Sequence, residues 1–136
     1  MPGDAFVLDA CAVIAYLNAE PGGDRVKALI GDNRNRVLMH YINLGEVYYG
    51  FRRSEGEQKA SDVLNKLLDL PVEYVTVVTL DLLKHAGKFK SEHRISYADA
   101  FVLALAETEQ VQIVTSDHHE FDLVEAAGQM KFFWIR

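Results

Sequence analysis

The fold is decided by residues 6–17, which read FVLDACAVIAYL. Phe6–Leu8 is a short apolar run typical of a buried strand, and the apolar residues of Ala12–Leu17 favour a helix. Asp9 lies at the junction between the two. A strand that leads directly into a helix is the repeating unit of proteins in which helices cover a parallel sheet.

Strand and helix alternate along the rest of the chain. Four further strands are predicted, at Val37–Met39, Val75–Val78, Ile113–Thr115 and Phe132–Ile135. Helices are predicted between them, at Arg25–Ile30, at Ile42–Phe51, around Val63–Leu68, at Leu80–His93 after the N-cap Thr79, and at Tyr97–Glu107 after Ser96. The pattern predicts one α/β domain over residues 1–136, with three α/β/α layers around a mostly parallel sheet of four to five strands.

The composition is that of a globular protein. Of the 136 residues, 49% are hydrophobic and 25% are charged, which argues against a disordered chain. The single cysteine, Cys11, excludes an intrachain disulfide and a zinc site built on several thiolates. No apolar run approaches the ~20 residues of a membrane helix, and no signal-peptide pattern opens the sequence. We therefore expect a cytoplasmic protein with no membrane partner.

The net charge of −6 limits how this chain could bind nucleic acid. Proteins that attract nucleic acid by bulk electrostatics are usually basic. A role on nucleic acid would therefore depend on a local basic patch or on a bound cation.

Two predicted strands run into an aspartate at their carboxyl ends. Asp9 follows Phe6–Leu8 directly, and Asp117 follows Ile113–Thr115 after one serine. In an open α/β sheet the ligand crevice forms at this end of the strands. Either aspartate could equally serve as an N-cap for the helix that follows it.

Glu46 lies in a strongly apolar predicted helix, Ile42–Phe51. It is the only Asp, Glu, Lys or Arg between Met39 and Phe51. A buried carboxylate needs a partner, a shifted pKa or a cation. Alternatively, Glu46 lies on an exposed edge of the helix or pairs with Arg52 or Arg53.

Asp99 lies in the first turn of the helix that begins after Ser96. The spacing Ser-x-x-Asp resembles a capping box, and the helix dipole favours an anion there, so Asp99 alone needs no functional explanation.

Two strand-end aspartates and two helix carboxylates could nevertheless converge at one end of the sheet. Their mutual repulsion would amount to several kcal/mol unless protons or cations neutralise them. All-oxygen sites suit Mg²⁺ or Mn²⁺ rather than zinc.

Four segments, taken in order, resemble a known family. They are FVLD with AVIAYL (residues 6–9 and 12–17), NLGEVYYG (residues 43–50), ISYADAF (residues 95–101) and IVTSD with Glu120-Phe121 (residues 113–117). The chain resembles a PIN domain, specifically the small VapC-type toxins of toxin–antitoxin pairs, over nearly its whole length.

This resemblance implies a metal-dependent endoribonuclease. Asp9, Glu46, Asp99 and Asp117 would be the catalytic and metal-binding residues, holding Mg²⁺ or Mn²⁺ that activates a water for attack on the RNA phosphodiester. Asp9 and Asp99 would be the most direct ligands. Glu120 falls where many relatives keep another acid, and Ser116 could bond a carboxylate or a phosphate. The implied partners are RNA, a small antitoxin protein and a second copy of the chain.

The sequence departs from the family pattern after the first aspartate. Relatives usually carry a hydroxyl residue there, whereas this chain has Ala10 and then Cys11. The loss of that hydroxyl could loosen the orientation of Asp9. Cys11 is expected to pack as a small residue, although a nucleophilic role with His118 or His119 as base is conceivable. The two histidines themselves are expected in a loop near the cleft.

A local excess of positive charge lies in residues 84–94. Lys84, Lys88, Lys90 and Arg94 stand there against Glu92 alone. This segment could contact RNA phosphates, although a solvated helix face explains it too.

Two other functions remain open from the sequence. One is a non-catalytic PIN module that binds RNA or protein. The other is an aspartyl-phosphate enzyme or receiver domain, which the sequence disfavours because Asp9-Ala10-Cys11 lacks the second acid that such proteins place after the first strand.

Overall fold

A computed structural model describes residues 3–136. Met1 and Pro2, which the predicted domain over residues 1–136 includes, lie outside the described residues. The strands are β1 (Ala5–Leu8), β2 (Arg36–His40), β3 (Glu73–Val75), β4 (Gln112–Thr115) and β5 (Phe132–Trp134). The helices are α1 (Ala10–Leu17), α2 (Gly23–Gly31), α3 (Tyr41–Glu55), α4 (Glu57–Leu68), α5 (Leu80–Glu92), α6 (Tyr97–Glu109) and α7 (His118–Ala126).

The five strands form one parallel sheet in the order β3-β2-β1-β4-β5. β1 lies at its centre, with Val7 opposite Leu38 of β2 on one side and opposite Ile113 of β4 on the other. The predicted three-layer α/β fold with a parallel sheet is confirmed. All strands run the same way, so their carboxyl ends lie along one edge of the sheet.

The sheet separates two apolar cores. Phe6 and Leu8 point to the side covered by α1–α4, whereas Val7 and Ile113 point to the side covered by α5–α7. This alternation follows from the two-residue period of a strand. Because both faces are covered, β1 reads as a continuous apolar run.

Two predictions about elements were wrong. The strand predicted at Val75–Val78 ends at Val75, and Val77 and Val78 are 60% and 44% exposed. Here the backbone leaves the sheet, and the Val77 carbonyl accepts a bond from the His40 ring at 2.9 Å. His118 and His119 begin α7 rather than lying in a loop.

Asp9 and Asp117 are both helix N-caps at this carboxyl edge. The Asp9 side chain accepts from Ala12 N–H, and Asp117 accepts from Glu120 N–H. The predicted caps Thr79 and Ser96 are confirmed as well. Among residues 3–136, no helix is long and apolar enough to cross a membrane.

Candidate active site

Asp9 is the most buried carboxylate at the carboxyl edge, at 1% exposure. Its Oδ1 accepts from Ala12 N–H at 2.8 Å, and its Oδ2 accepts from the Thr115 hydroxyl. Burial raises its pKa to about 7, and the charges of Asp117 and Glu46 add to that increase, while the two hydrogen bonds oppose it. Asp9 therefore keeps its proton to a much higher pH than a free aspartate unless a cation replaces it.

Thr115, the last residue of β4, connects the two strand-end aspartates. Its fully buried hydroxyl donates to Asp9 and accepts the backbone N–H of Asp117 at 2.9 Å. Asp9 is thus held on two sides even though Ala10 replaces the family's hydroxyl residue. Thr115, rather than Ser116, makes the hydroxyl–carboxylate bond in this structure.

Glu46 is half-buried on α3, and its partner comes from its own helix. Asn43 Nδ2 donates to Glu46 Oε1 at 3.1 Å. Burial raises the pKa of Glu46, as do the charges of Asp117 and Glu120. The alternative in which Glu46 pairs with Arg52 or Arg53 was wrong, since Arg52 faces Glu57 and Arg53 lies over the Tyr49 ring.

Asp99 lies in the first turn of α6, where only half of the predicted capping box forms. Ser96 Oγ accepts from Asp99 N–H at 3.1 Å, as a cap should. The reciprocal bond goes elsewhere, because Ser96 N–H donates to Glu120 Oε1 at 3.3 Å. Burial, followed by the charges of Asp9 and Glu46, raises the pKa of Asp99 to about 8. The local capping explanation therefore does not account for this carboxylate.

The acidic cluster consists of Asp9, Glu46, Asp99, Asp117 and Glu120. One ligand oxygen from each of Asp99, Asp117 and Glu120 lies within 4.8 Å of the other two. Asp9 and Glu46 lie outside this compact trio, but their charges reach it and raise the pKa of Asp99. The structure thus brings all four predicted site residues to one end of the sheet, with Glu120 joining two of them most closely.

The donor chemistry of the acidic cluster fits a hard divalent cation. All of its ligand atoms are carboxylate oxygens, which Mg²⁺ and Mn²⁺ prefer. A sulfur atom also lies beside the cluster, because Cys11 Sγ is 4.0 Å from Asp117 Oδ2. Burial and the surrounding carboxylates raise the pKa of Cys11 to about 12. Cys11 is therefore a protonated thiol in the metal-free protein.

Cys11 does not form a pair with His118, whose ring is bound elsewhere. The His118 ring bonds Asp122 at 2.7 Å and the Arg136 carbonyl at 2.8 Å, and it stacks on Trp134. His118 is therefore not available as a base, and the Cys11 thiol is protonated. Cys11 packs as a small residue beside Asp117.

Sequence reasoning missed two polar residues that support the acidic cluster. Thr115 reads as an ordinary strand residue, and only its position beside a strand-end aspartate could have singled it out. Asn43 is fully buried in α3 and carries a stronger signal, because it and Glu46 are the amide and the carboxylate in the apolar first part of that helix.

The geometry agrees with a comparison to known families, in which the PIN domain profile matches residues 6–127. The chain belongs to the PIN domain family. This confirms the resemblance inferred from the four acidic segments. A comparison with curated proteins finds no match.

Solved structures similar to this PIN domain include several from toxin–antitoxin systems. VapBC2 of Rickettsia felis, bound to a promoter DNA fragment, has a TM-score of 0.73 at 15% identity and covers 95% of this chain and 97% of its own. DNA-bound VapBC of Salmonella typhimurium has a TM-score of 0.73 at 18% identity and covers 98% of this chain and 100% of its own. The Sarcin-Ricin loop cleaving toxin VapC20 of Mycobacterium tuberculosis has a TM-score of 0.69 at 20% identity and covers 94% of this chain and 98% of its own. At these identities the likeness shows a shared fold.

Proposed function

We propose that this PIN domain is an endoribonuclease that hydrolyses RNA phosphodiester bonds with the help of Mg²⁺ or Mn²⁺. The observation that carries the proposal is the acidic cluster at the carboxyl edge of the sheet, where burial and mutual repulsion hold the pKa values of Asp9 and Asp99 at about 7 and about 8. A site that keeps like charges together in this way is arranged for a cation.

The catalytic and metal-binding residues in this proposal are Asp9, Glu46, Asp99 and Asp117, with Glu120 as a further ligand. When bound, the cation would lower the pKa of a water molecule and neutralise charge on the phosphate. Asp9 is held rigidly by Thr115 and Ala12, which suits a fixed ligand. Glu46 keeps one oxygen on Asn43, which leaves its second oxygen to accept a proton from an attacking water.

An acidic protein also needs groups that attract the phosphate chain. The basic groove, lined by Lys90, His93, Arg94 and His119, lies beside the acidic cluster and also includes Glu92, Ser96 and Glu120. Fewer cations of the basic stretch at residues 84–94 are available for RNA than the sequence suggested, because Lys88 Nζ donates to the Glu107 carboxylate at 2.8 Å. We place the RNA backbone in the basic groove, with Arg94 and His119 as phosphate contacts.

The role as a toxin rests on the similar solved structures. Several are VapBC assemblies, and one is a toxin named for cleaving the Sarcin-Ricin loop. By analogy, we propose a small antitoxin protein as partner, a homodimer as the assembly and the cytoplasm, where RNA is accessible, as the location.

RNA cleavage by the purified full chain tests this function. We expect cleavage with Mn²⁺ or Mg²⁺, none with EDTA, and a loss of at least about 100-fold in Asp99→Asn. Equal cleavage by Asp99→Asn and wild type would contradict the catalytic assignment. RNA binding without cleavage under any metal would favour the non-catalytic binding module instead.

A further inference from the structure

Asn43 is a fully buried amide that joins two parts of the acidic cluster. It lies on α3 one turn before Glu46, and its side chain is 0% exposed. Its Nδ2 donates to Glu46 Oε1 at 3.1 Å and to the backbone carbonyl of Ala98 at 3.0 Å. Ala98 immediately precedes Asp99 in the first turn of α6. One amide group on α3 therefore contacts both Glu46 and the first turn of α6, which carries Asp99.

The other end of the same amide has no partner. Asn43 Oδ1 is buried and accepts no hydrogen bond from the described part of the chain. The reverse orientation of the amide would set its oxygen against two other oxygen acceptors, so the observed orientation is the favourable one. The fold thus leaves a buried carbonyl without a bond in order to place both N–H groups on Glu46 and Ala98.

Packing alone does not account for an asparagine here. Leu44 and Val47, which lie near it on α3, are buried in the apolar core that α1–α4 cover. Leucine, which is similar in volume, would fill the same space without an unpaired buried oxygen. The amide is explained by the two bonds that it donates.

We propose that Asn43 is a positioning residue that sets the distance between Glu46 on α3 and Asp99 on α6. The inference rests on the proposed metal-binding function of the acidic cluster and adds to it the residue that fixes its geometry. The bond to Glu46 lies within α3, and the bond to Ala98, 55 residues further along the chain, joins α3 to α6 beside Asp99. Losing them would let the Glu46 carboxylate turn away from the cluster.

Mn²⁺ binding by two variants tests this role independently of activity. Asn43→Ala removes the amide, and Asn43→Leu replaces it with an apolar side chain of similar volume. Free Mn²⁺ counted by electron paramagnetic resonance should show about tenfold weaker binding for both variants than for wild type. Asn65→Ala, at an exposed position on α4, is the matched control and should bind like wild type.

A double-mutant comparison shows whether Asn43 acts through Glu46. If it does, Asn43→Leu should weaken Mn²⁺ binding much less in a Glu46→Gln background than in wild type, because the carboxylate that it orients is already gone. At saturating Mn²⁺, Asn43→Leu should lower kcat for RNA cleavage and leave KM for RNA nearly unchanged.

The outcomes separate this inference from the proposed function. If Asn43→Leu binds Mn²⁺ as tightly as wild type, or if both variants fail to fold, Asn43 has a structural role and the inference is wrong. If its effect is undiminished in Glu46→Gln, it does not act through Glu46 and the inference is again wrong. If wild type itself binds no Mn²⁺, the proposed function fails whatever Asn43 does.

Discussion

Asp99 is the residue at which stability and proposed function conflict most clearly. Its carboxylate is only 9% exposed and stands near four other carboxylates, so its charged form is unfavourable without a cation. We predict that Asp99→Asn stabilises the metal-free protein by on the order of 1 kcal/mol, or about 3–5 °C in Tm at pH 8. Thermal unfolding in EDTA measures this change.

The control for that measurement is Asp62→Asn. Asp62 is exposed on α4 and accepts a bond from Gln58 at 3.0 Å, which an asparagine oxygen can replace. Its Tm should stay within about 1 °C of wild type, since exposed substitutions usually change stability little. A lower Tm for Asp99→Asn than for Asp62→Asn would show that the acidic cluster is not under electrostatic strain.

The raised pKa values also predict how stability depends on pH. Asp9 and Asp99 keep their protons in the folded state up to about pH 7 and about pH 8, whereas the unfolded chain releases them near pH 4. Folding therefore retains protons, and stability should fall by a few kcal/mol as pH rises from about 4 to 8 in EDTA. Chemical denaturation at several pH values measures the slope.

Two comparisons isolate the contribution of the acidic cluster to that slope. The pKa of His118 is raised by its bond to the Arg136 carbonyl and by Asp122, so His118 adds to the slope in the same direction. Asp99→Asn keeps His118 and should flatten the curve, and Mn²⁺ should flatten it in wild type. A slope that neither change alters would contradict the assigned role of the cluster.

The local sequence revealed the acids but not the groups that hold them. Asp9 and Asp117 stand out because each ends an apolar strand, and Glu46 because it is alone in an apolar helix. Thr115 and Asn43 act through contacts with residues 106 and 55 positions away, which local patterns do not encode. The spacing predicted a capping box in which the Asp99 side chain accepts from Ser96 N–H. Only the structure shows that Glu120 accepts this bond instead.

At the scale of elements, the close packing of α1 on α2 depends on Gly23. A Cβ built at this position would lie 2.3 Å from the Ala15 carbonyl oxygen, which belongs to rigid backbone. We predict that Gly23→Ala destabilises the protein by about 1–3 kcal/mol, measured as the change in free energy of unfolding in urea.

Gly87, in the middle of α5, provides the matched substitution. A Cβ there would meet nothing within 4 Å. Gly87→Ala should therefore raise stability by about 0.5–1 kcal/mol, because alanine favours the helical backbone. If both substitutions changed stability in the same direction, the α1–α2 contact would not be as close as described.

Elements were predictable where they bury apolar residues regularly and not elsewhere. β1, β2 and β4 lie in the middle of the sheet, and their apolar runs appear directly in the sequence. β3 is an edge strand, so the valines that follow it are exposed and gave a false continuation. α7 buries only Phe121 and Val124, and two buried apolar residues are too few to show the helical repeat in the sequence.

At the scale of the whole molecule, a ribonuclease of net charge −6 needs local positive charge, and the proposed function gives this role to the basic groove. We predict that Arg94→Ala raises KM for RNA several-fold and lowers the slope of log binding constant against log salt by about one, leaving kcat nearly unchanged. Steady-state cleavage at several salt concentrations measures both.

Lys84 is the control for this prediction. It is an exposed cation on α5 that does not line the basic groove. Lys84→Ala changes net charge by the same amount as Arg94→Ala and should leave KM close to wild type. Equal effects of the two substitutions would mean that RNA responds to overall charge rather than to this groove.

The α/β architecture followed from the sequence because alternating strands and helices allow few arrangements. The convergence of distant acids depended on strand order, since β1 and β4 are adjacent although their residues lie more than 100 positions apart. Local patterns do not give that order. The family resemblance implied only that the four acids share one pocket, and the structure places β1 and β4 side by side.

The most direct test is anomalous diffraction from a crystal of the protein grown with Mn²⁺. We predict a peak at the carboxyl edge of the sheet, with oxygens of Asp99 and Asp117 within roughly 2.0–2.6 Å of the ion and Asp9, Glu46 or Glu120 completing its surroundings directly or through water. A well-ordered structure at saturating Mn²⁺ with no peak between these side chains would contradict the account.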